Sequence, residues 1–264
     1  TLLALAGFGV FTLGSELSAV DGTDIQTLIP TGAEIADAWE RFRVDLIGTF
    51  LVNTMRVTLT GYALAVILGL ILATLMDFFP VVRWLLYPVL VLSQTIPTFA
   101  IAVLLILVFG FGDSPKIVVV ILFCFFAVAT NTLDGFRSVD KNQINLVRAM
   151  GASQLETWWK VRLPAALPSF FSGARLAATY SVVGAVIGEY VGSGEGLGKF
   201  LQRSYRAFQT DQVFLAIALI AALSVAMVAL VTLVELIALR WRYISKLKIW
   251  WARVRNMFAK TDAS

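Results

Sequence analysis

Residues 142–168 read NQINLVRAMGASQLETWWKVRLPAALP, and this stretch decides how the rest of the chain is interpreted. Its first part favours a helix, and Gly151 can adopt the left-handed backbone conformation that ends one. Ser153 and Glu156 then form an S-x-x-E capping box, which predicts the start of a second short helix. Pro164 is expected to stop that helix. The stretch is therefore predicted to be an ordered pair of short helices and not a simple connector.

The second short helix is expected to present Leu155, Trp158, Trp159 and Arg162 on its exposed turns. Two tryptophans outside any apolar run form an exposed aromatic cluster, which is typical of a surface that binds a groove in another protein. A helix that lies on the lipid headgroups carries the same kinds of side chain, so the pattern leaves that alternative open.

Long apolar runs lie on both sides of this pair of helices. The chain has 264 residues, of which 59% are hydrophobic and only 14% are charged, whereas a soluble domain carries roughly 25% charged residues. Pro88 and Pro97 are expected to interrupt the second of the long runs. The composition predicts an all-α integral membrane protein, with spans at residues 50–76, 84–109, 117–133, 172–191 and 213–239.

The opening run at residues 1–13, TLLALAGFGVFTL, is too short to cross about 30 Å of hydrocarbon by itself. We interpret it as the remainder of a first transmembrane helix, and the apolar part of a signal peptide is the alternative. The prediction is then six transmembrane helices in three regions. These are a partial first helix with an acidic external segment, a five-helix core that contains the loop 134–171, and a basic tail, at residues 1–49, 50–241 and 242–264.

The basic residues predict how these helices are oriented, because cytoplasmic loops of membrane proteins are enriched in lysine and arginine. If the loop 134–171 and the C-terminal tail face the cytoplasm, 13 of the 21 basic residues lie inside. Residues 14–49, on the opposite side, carry seven acidic residues. Both termini are therefore expected on the cytoplasmic side of the membrane. The net charge of +4 is explained by this orientation, so no nucleic-acid partner is expected.

The composition excludes several kinds of catalytic site. The chain contains no histidine, which removes histidine-based triads and most zinc sites, and no metal site is expected. Cys124 is the one cysteine, and within its apolar run a buried inert thiol is expected. GSGEGLGK at 192–199 is similar to a phosphate-binding loop, but Ser193 and Phe200 stand where that motif needs a glycine and a hydroxyl. We therefore expect a glycine-rich external turn there and no enzymatic activity in this chain.

The helical loop resembles the EAA loop of binding-protein-dependent ATP-binding-cassette (ABC) importer permeases, whose pattern is E-A-A-x3-G-x9-I-x-L-P. Gly151 is followed by nine residues and then by the sequence VRLP at 161–164, which matches that spacing. The first triplet departs from the pattern, since residues 145–147 read NLV. The resemblance implies that the loop docks on an ATPase, through Arg148, Ala149, Gly151, Ala152, Ser153, Leu155, Glu156, Trp158, Trp159, Leu163 and Pro164.

The resemblance extends from about Leu46 to Trp241. SQTIPTFAIAVLLILVFGFGDSPK at 93–116 and GEYVGSGEGLGKFLQRS at 188–204 are similar to the nitrate, sulfonate and bicarbonate (taurine-type) branch of these permeases. NTLDGFRSVD at 131–140 is similar to permeases for thiamine-pyrimidine precursors and riboflavin. The resemblance implies a type I importer fold, a homodimer, two cytoplasmic ATPase subunits that bind ATP and Mg, and an extracytoplasmic substrate-binding protein. It implies no cofactor on this chain.

Polar and ionisable groups inside the spans are the candidates for the transport pathway, because burying them in hydrocarbon is costly. Two groups stand out, one around a proline of the third span and one at the end of the fifth: Ser93, Gln94, Thr95, Pro97 and Thr98, then Glu189 and Tyr190. A packing kink whose hydroxyls bond to their own helix explains the first group equally well. Glu235 is expected to pair with Arg240.

The cargo and the class of transporter are only weakly indicated. Arg56 and Arg175 stand at opposite ends of their spans, so no pair of cations dedicated to a small anion is evident. This favours a neutral or aromatic cargo, with nitrate or a sulfonate as the alternative. A secondary transporter would predict an inverted repeat or a polar relay through the spans, and the sequence shows neither convincingly.

Overall fold

The computed structural model describes residues 30–240, and within that range every regular element is a helix. The expectations for the opening apolar run, for residues 14–29 and for the basic tail fall on residues outside the described part. We number the helices α1 Gly32–Asp45, α2 Val52–Phe78, α3 Pro80–Ser93, α4 Thr98–Phe109, α5 Asp113–Arg137, α6 Lys141–Ala149, α7 Gln154–Thr157, α8 Leu163–Val191, α9 Leu197–Arg206 and α10 Thr210–Ala238.

The first two helices form one long rod. A π-helical turn at Leu46–Leu51 joins α1 to α2, so the helix runs without a break over 47 residues, Gly32–Phe78. It begins with a capping box, in which the Thr31 and Glu34 side chains each accept a backbone hydrogen bond from the other residue. Only about 20 helical residues are needed to cross a bilayer. The charged α1 part therefore extends the rod beyond the apolar α2 part.

The third predicted span is broken into two helices, α3 and α4, that bend by 97° at the residues between them. With 14 and 12 residues, neither helix alone is long enough to cross a bilayer. The predicted interruption at Pro97 is confirmed, because that residue immediately precedes α4. Pro88 lies inside α3, where it removes one amide donor from the helical ladder but does not end the helix. The segment is a broken span or a re-entrant loop and not one straight helix.

The centre of the bundle is α5, which packs against both α2 and α8. Close packing there depends on small residues of the neighbouring helices. Gly184 and Gly188, the G-x-x-x-G step of α8, lie against Val120 and Lys116 of α5. Both glycines therefore allow close approach of α5 and α8 within the chain.

The pair of short helices continues directly into the next span. Helix α7 is followed by a π-helical turn at Trp158–Arg162 and then by α8, so a 38-residue helix runs over Gln154–Val191. The prediction that Pro164 stops this helix is wrong. In the π turn the Leu163 amide bonds to the carbonyl of Trp158, five residues earlier. The wider turn and the position of Pro164 in the first turn of α8 accommodate a proline that has no amide hydrogen.

Within residues 30–240, four continuous helices are long and apolar enough to cross a membrane, and the bent pair makes a fifth if it is one span. The four contain α2, α5, α8 and α10. The all-α membrane architecture is thus confirmed for the described residues. The sixth span was predicted at residues 1–13, outside the described range.

Candidate functional site

The loop between α5 and α8 is ordered by its caps and its turn. Asp140 caps α6 by accepting a hydrogen bond from the amide of Asn142 at 2.8 Å. Gly151 follows α6 with φ +90°, as predicted, and this left-handed conformation is strained for any side chain. Ile144 points into the protein and is 8% exposed. The loop is a folded element with one buried side and one exposed side.

The predicted capping box at the start of α7 is confirmed. The amide of Glu156 donates to Ser153 Oγ at 3.2 Å, and the amide of Ser153 donates to Glu156 Oε2 at 2.9 Å. These hydrogen bonds, together with Lys160 one turn later, lower the pKa of the Glu156 carboxyl, which stays ionised at the N-terminus of the helix. The cap fixes the direction in which the chain enters the long helix.

The two tryptophans of the loop face opposite environments. The indole of Trp158 packs between Phe78, the last residue of α2, and Phe136 of α5, with ring centroids 5.5 and 5.6 Å away. Trp159 is 58% exposed and meets Trp158 edge-on at 5.1 Å. The expectation that Trp158 lies on the exposed face is wrong, because this indole anchors the loop to the ends of two spans.

Arg162, also expected on the exposed face, instead points inward to Asp77 of α2. Its Nη1 atom donates to both carboxylate oxygens at 2.8 Å. The Asp77 side chain is only 5% exposed and that of Arg162 is 27% exposed. A charge-assisted pair in this environment fixes geometry more strongly than an exposed one does. The pair therefore fastens the start of α8 to the end of α2.

The side chains that remain outside form an apolar patch on both short helices. Leu146 of α6 and Met150, which follows its last residue, are 63% and 80% exposed. Leu155 of α7 is 58% exposed, as is Trp159 in the π turn. We call these four residues the docking face. A cluster of large exposed apolar side chains on a folded loop is typical of a protein interface.

Of the docking face, Leu155 and Trp159 were predicted from the sequence, whereas Leu146 and Met150 were not. The other residues predicted to dock lie beside this face or support it. Arg148 lines a cavity of about 170 Å³ together with Asp77, Gln154 and Trp158. The remaining predicted residues are exposed or partly exposed around the turn and at the start of α8: Ala149, Ala152, Leu163 and Pro164. The cavity lies between the loop and the end of α2, and Arg148 is its exposed residue on α6.

The predicted pathway residues of the third span lie at the break between α3 and α4. Ser93 Oγ donates to the Leu90 carbonyl at 2.7 Å, and Thr95 Oγ1 donates to the Leu92 carbonyl at 2.8 Å. Both hydroxyls therefore bond to their own helix, as the alternative interpretation predicted. Gln94, Thr95 and Pro97 are exposed, and Thr98 begins α4 half-buried.

Glu189, the other predicted pathway residue, is buried at 1% exposure. Its Oε2 atom accepts hydrogen bonds from Thr54 Oγ1 at 3.0 Å and from the amide of Gly198 at 2.9 Å, while Thr54 accepts one from the Leu197 amide. The group ties α2 and α8 to the start of α9. A Cβ on Gly196 would lie 2.2 Å from the Glu189 carboxyl carbon, so glycine is required there. Tyr190 beside it is half-buried.

Two ion pairs between distant residues were not found from the sequence. Arg56 of α2 pairs with Asp113 at the start of α5, and Arg175 of α8 pairs with Glu235 of α10. The sequence placed the two arginines at opposite ends of their spans and indicated no carboxylate partner for either. Each arginine pairs with a carboxylate on another helix. The spacing of residues along the sequence does not show which side chains of different helices lie close together.

The family model for the inner membrane component of binding-protein-dependent transport systems matches residues 65–243. The chain belongs to this family. The matched range contains the docking face, the anchoring Trp158 and the Arg162–Asp77 pair. The protein is therefore a permease component of ABC importers, as the EAA-like spacing predicted.

Named relatives of this permease support the assignment. The formylaminopyrimidine transport permease protein ThiX of Halalkalibacterium halodurans is 35% identical over 81% of this chain and 86% of its own length. The putative aliphatic sulfonates transport permease protein SsuC of Bacillus subtilis is 32% identical over 82% of this chain and 79% of its own. The predicted resemblance to the taurine-type branch and to thiamine-precursor permeases is thus confirmed.

A solved structure shows the same fold. The crystal structure of an amino acid ABC transporter with histidines superposes with a TM-score of 0.58, covering 73% of this permease and 94% of that chain. The sequence identity is 17%, so the likeness concerns the helix arrangement alone.

Proposed function

We propose that this permease docks on a separate cytoplasmic ATPase through its docking face and passes the motion of that ATPase to the membrane spans. The observation that carries the proposal is the division of the loop into an exposed apolar patch and a rigid inner side. Leu146, Met150, Leu155 and Trp159 are exposed, while Trp158 and Arg162 are fixed to the spans. ATP and Mg would then be bound by the partner, and no cofactor by this chain.

The inner side of the loop explains how motion would be transmitted. Trp158 touches the ends of α2 and α5, and the Arg162–Asp77 pair joins α2 to α8. The loop also runs into α8 without a break. A displacement of the docking face would therefore move three spans together and would not be absorbed by a flexible hinge, which is what alternating access requires.

We further propose a homodimer of this permease, two ATPase subunits and an extracytoplasmic binding protein. The polar residues at the α3–α4 break, the exposed Gln94 and Thr95 and the half-buried Thr98, are the proposed pathway positions, since irregular backbone at membrane depth is tolerated where it lines a cavity or contacts protein. Glu189 is proposed to act on the pathway indirectly, by holding the start of α9.

For the cargo we propose a pyrimidine-type compound, with riboflavin next. The support is the resemblance of 131–140 to such permeases and the name of the Halalkalibacterium relative. A sulfonate is the second candidate, because a relative of similar coverage is named for aliphatic sulfonates.

The decisive experiment is co-purification of the tagged permease from its native membrane, with partners identified by mass spectrometry. We expect an ATPase subunit in equal amount and a binding protein, which is then titrated with a formylaminopyrimidine, riboflavin and an aliphatic sulfonate. Sub-micromolar binding of the sulfonate alone would replace the pyrimidine proposal. A permease that purifies alone and moves solute in liposomes without ATP would contradict the importer mechanism.

A further inference from the structure

Two arginines, Arg83 and Arg137, line one surface pocket at the end of the helix bundle where the loop between α5 and α8 lies. The pocket measures about 220 Å³ and is lined by Arg83, Trp84, Tyr87 and Pro88 of α3 and by Arg137 of α5. Arg83 is near the start of α3 and Arg137 is the last residue of α5. Both helix ends lie beside the loop, since Phe136 touches Trp158. The pair is therefore at one membrane boundary, formed by two different helices.

Neither arginine has a carboxylate partner within residues 30–240. Each of Arg56, Arg162, Arg175 and Arg203 pairs with an acid there, but no ion pair or hydrogen bond involves the side chains of Arg83 or Arg137. Two guanidinium groups that share a pocket repel each other unless an anion lies between them. Guanidinium also matches the geometry of phosphate oxygens, which it binds with two parallel hydrogen bonds.

The surroundings of the pocket favour an amphipathic anion over a freely dissolved one. Trp84 is 80% exposed and Tyr87 is 44% exposed, and these two residue types concentrate where the bilayer meets water. Further along the same face of α3, Val91 is 43% exposed. Trp84, Tyr87 and Val91 are spaced by three and four residues, which places them on one stripe of the helix. The stripe offers an apolar surface to acyl chains beside the pocket that the two arginines line.

We infer that the Arg83–Arg137 pocket binds the phosphate group of an anionic phospholipid, whose acyl chains lie along the apolar stripe of α3. Basic pockets between transmembrane helices on the cytoplasmic side are known to bind such headgroups. The inference rests on the proposed function only in assigning the pocket to the cytoplasmic leaflet. Lipid bound here would contact the start of α3, two residues after α2, whose end carries the anchor of the loop.

The test is native mass spectrometry of the detergent-purified importer complex, titrated with phosphatidylglycerol, phosphatidylcholine or inorganic phosphate. We expect the unaltered protein to retain phosphatidylglycerol and not phosphatidylcholine. About 1 kcal/mol for each arginine at a charged surface corresponds to about fivefold weaker binding for Arg83→Gln or Arg137→Gln and about thirtyfold for the double variant. Arg206→Gln, at the exposed end of α9, is the matched control and should bind as the unaltered protein does.

Three results would overturn the inference. Equal retention of phosphatidylglycerol by the double variant would place the lipid elsewhere. Competition by millimolar inorganic phosphate, with no preference between the two lipids, would make the pocket a site for a free anion. Absence of lipid from the unaltered protein, with Trp84→Cys forming a disulfide-linked dimer, would show that a second copy covers the pocket. Co-purification of the ATPase and the unfolding temperature of each variant are recorded in parallel, so failure of the lipid site is distinguished from failure to fold or to assemble.

Discussion

The Asp77 carboxylate and the Arg162 guanidinium form the residue-scale link between α2 and the loop. Removing one partner leaves a mostly buried charge uncompensated, at a cost of about 3 kcal/mol, the lower end of the range for buried pairs, because Arg162 is 27% exposed. We expect Asp77→Asn and Arg162→Gln to assemble with the ATPase but to lower uptake in proteoliposomes at least tenfold while ATP hydrolysis continues. The measurement is the ratio of solute moved to ATP hydrolysed.

The control for this pair is the exposed one next to it. Lys160 and Glu156 are 3.3 Å apart, with side chains 69% and 50% exposed, and an exposed pair of this kind contributes little. Lys160→Gln should therefore leave the ratio unchanged. The double exchange Asp77→Arg with Arg162→Asp should recover part of the uptake, because it restores opposite charges. Full uptake by both single variants would show that the pair has no part in transmission.

At the scale of elements, the two tryptophans that begin the π turn at Trp158–Arg162 have different environments, since Trp158 supports the loop and Trp159 is presented outward. We expect Trp158→Ala to lower the stability of the purified permease by about 3 kcal/mol, since an indole packed between two rings is lost. Trp159→Ala should leave stability within about 0.5 kcal/mol but weaken binding to the ATPase by tenfold or more, as loss of an exposed aromatic anchor does. Thermal unfolding and ATPase titration separate the two effects. If Trp159→Ala lowered stability and Trp158→Ala weakened only ATPase binding, the roles assigned to the two tryptophans would be wrong.

The elements of the loop were only partly predictable from sequence, for a physical reason. Capping and the left-handed turn depend on residues three or fewer positions apart, so Ser153, Glu156 and Gly151 were assigned correctly. The π turn adds one residue to a helical turn and rotates every later side chain relative to an α-helical pattern. The predicted outward position of Arg162 failed for this reason, and so did the predicted stop at Pro164. Trp158 stands at the start of the turn, and its inward position depends on contacts with Phe78 and Phe136, which are distant in the sequence.

At the scale of the whole molecule, the apolar runs are sufficient to predict the spans, since hydrocarbon thickness dictates their length. The relation between spans is a different matter. The 97° bend after α3 and the pairing of Arg175 with Glu235 depend on which helices are neighbours. Which helices are neighbours depends in turn on where small residues such as Gly184 let another helix, here α5, approach closely. A single sequence shows the small residues but not the helices that pack against them.

The orientation of the molecule in the membrane can be tested by labelling cysteines placed at two positions that the fold separates by more than the thickness of the bilayer. Ala36, in α1, and Phe78, which touches the loop anchor, lie 42 residues apart on one continuous helix, about 60 Å at 1.5 Å per residue. The two positions are therefore on opposite sides of the bilayer.

The one native cysteine, Cys124, is 0% exposed and should give little background labelling. With a membrane-impermeant maleimide on intact spheroplasts, we expect Ala36→Cys to react at once and Asn145→Cys, on exposed α6, to react only after permeabilisation. Immediate labelling of Asn145→Cys alone would place the docking face outside the cell, where no ATP-hydrolysing partner could reach it, and would overturn both the orientation and the proposed coupling.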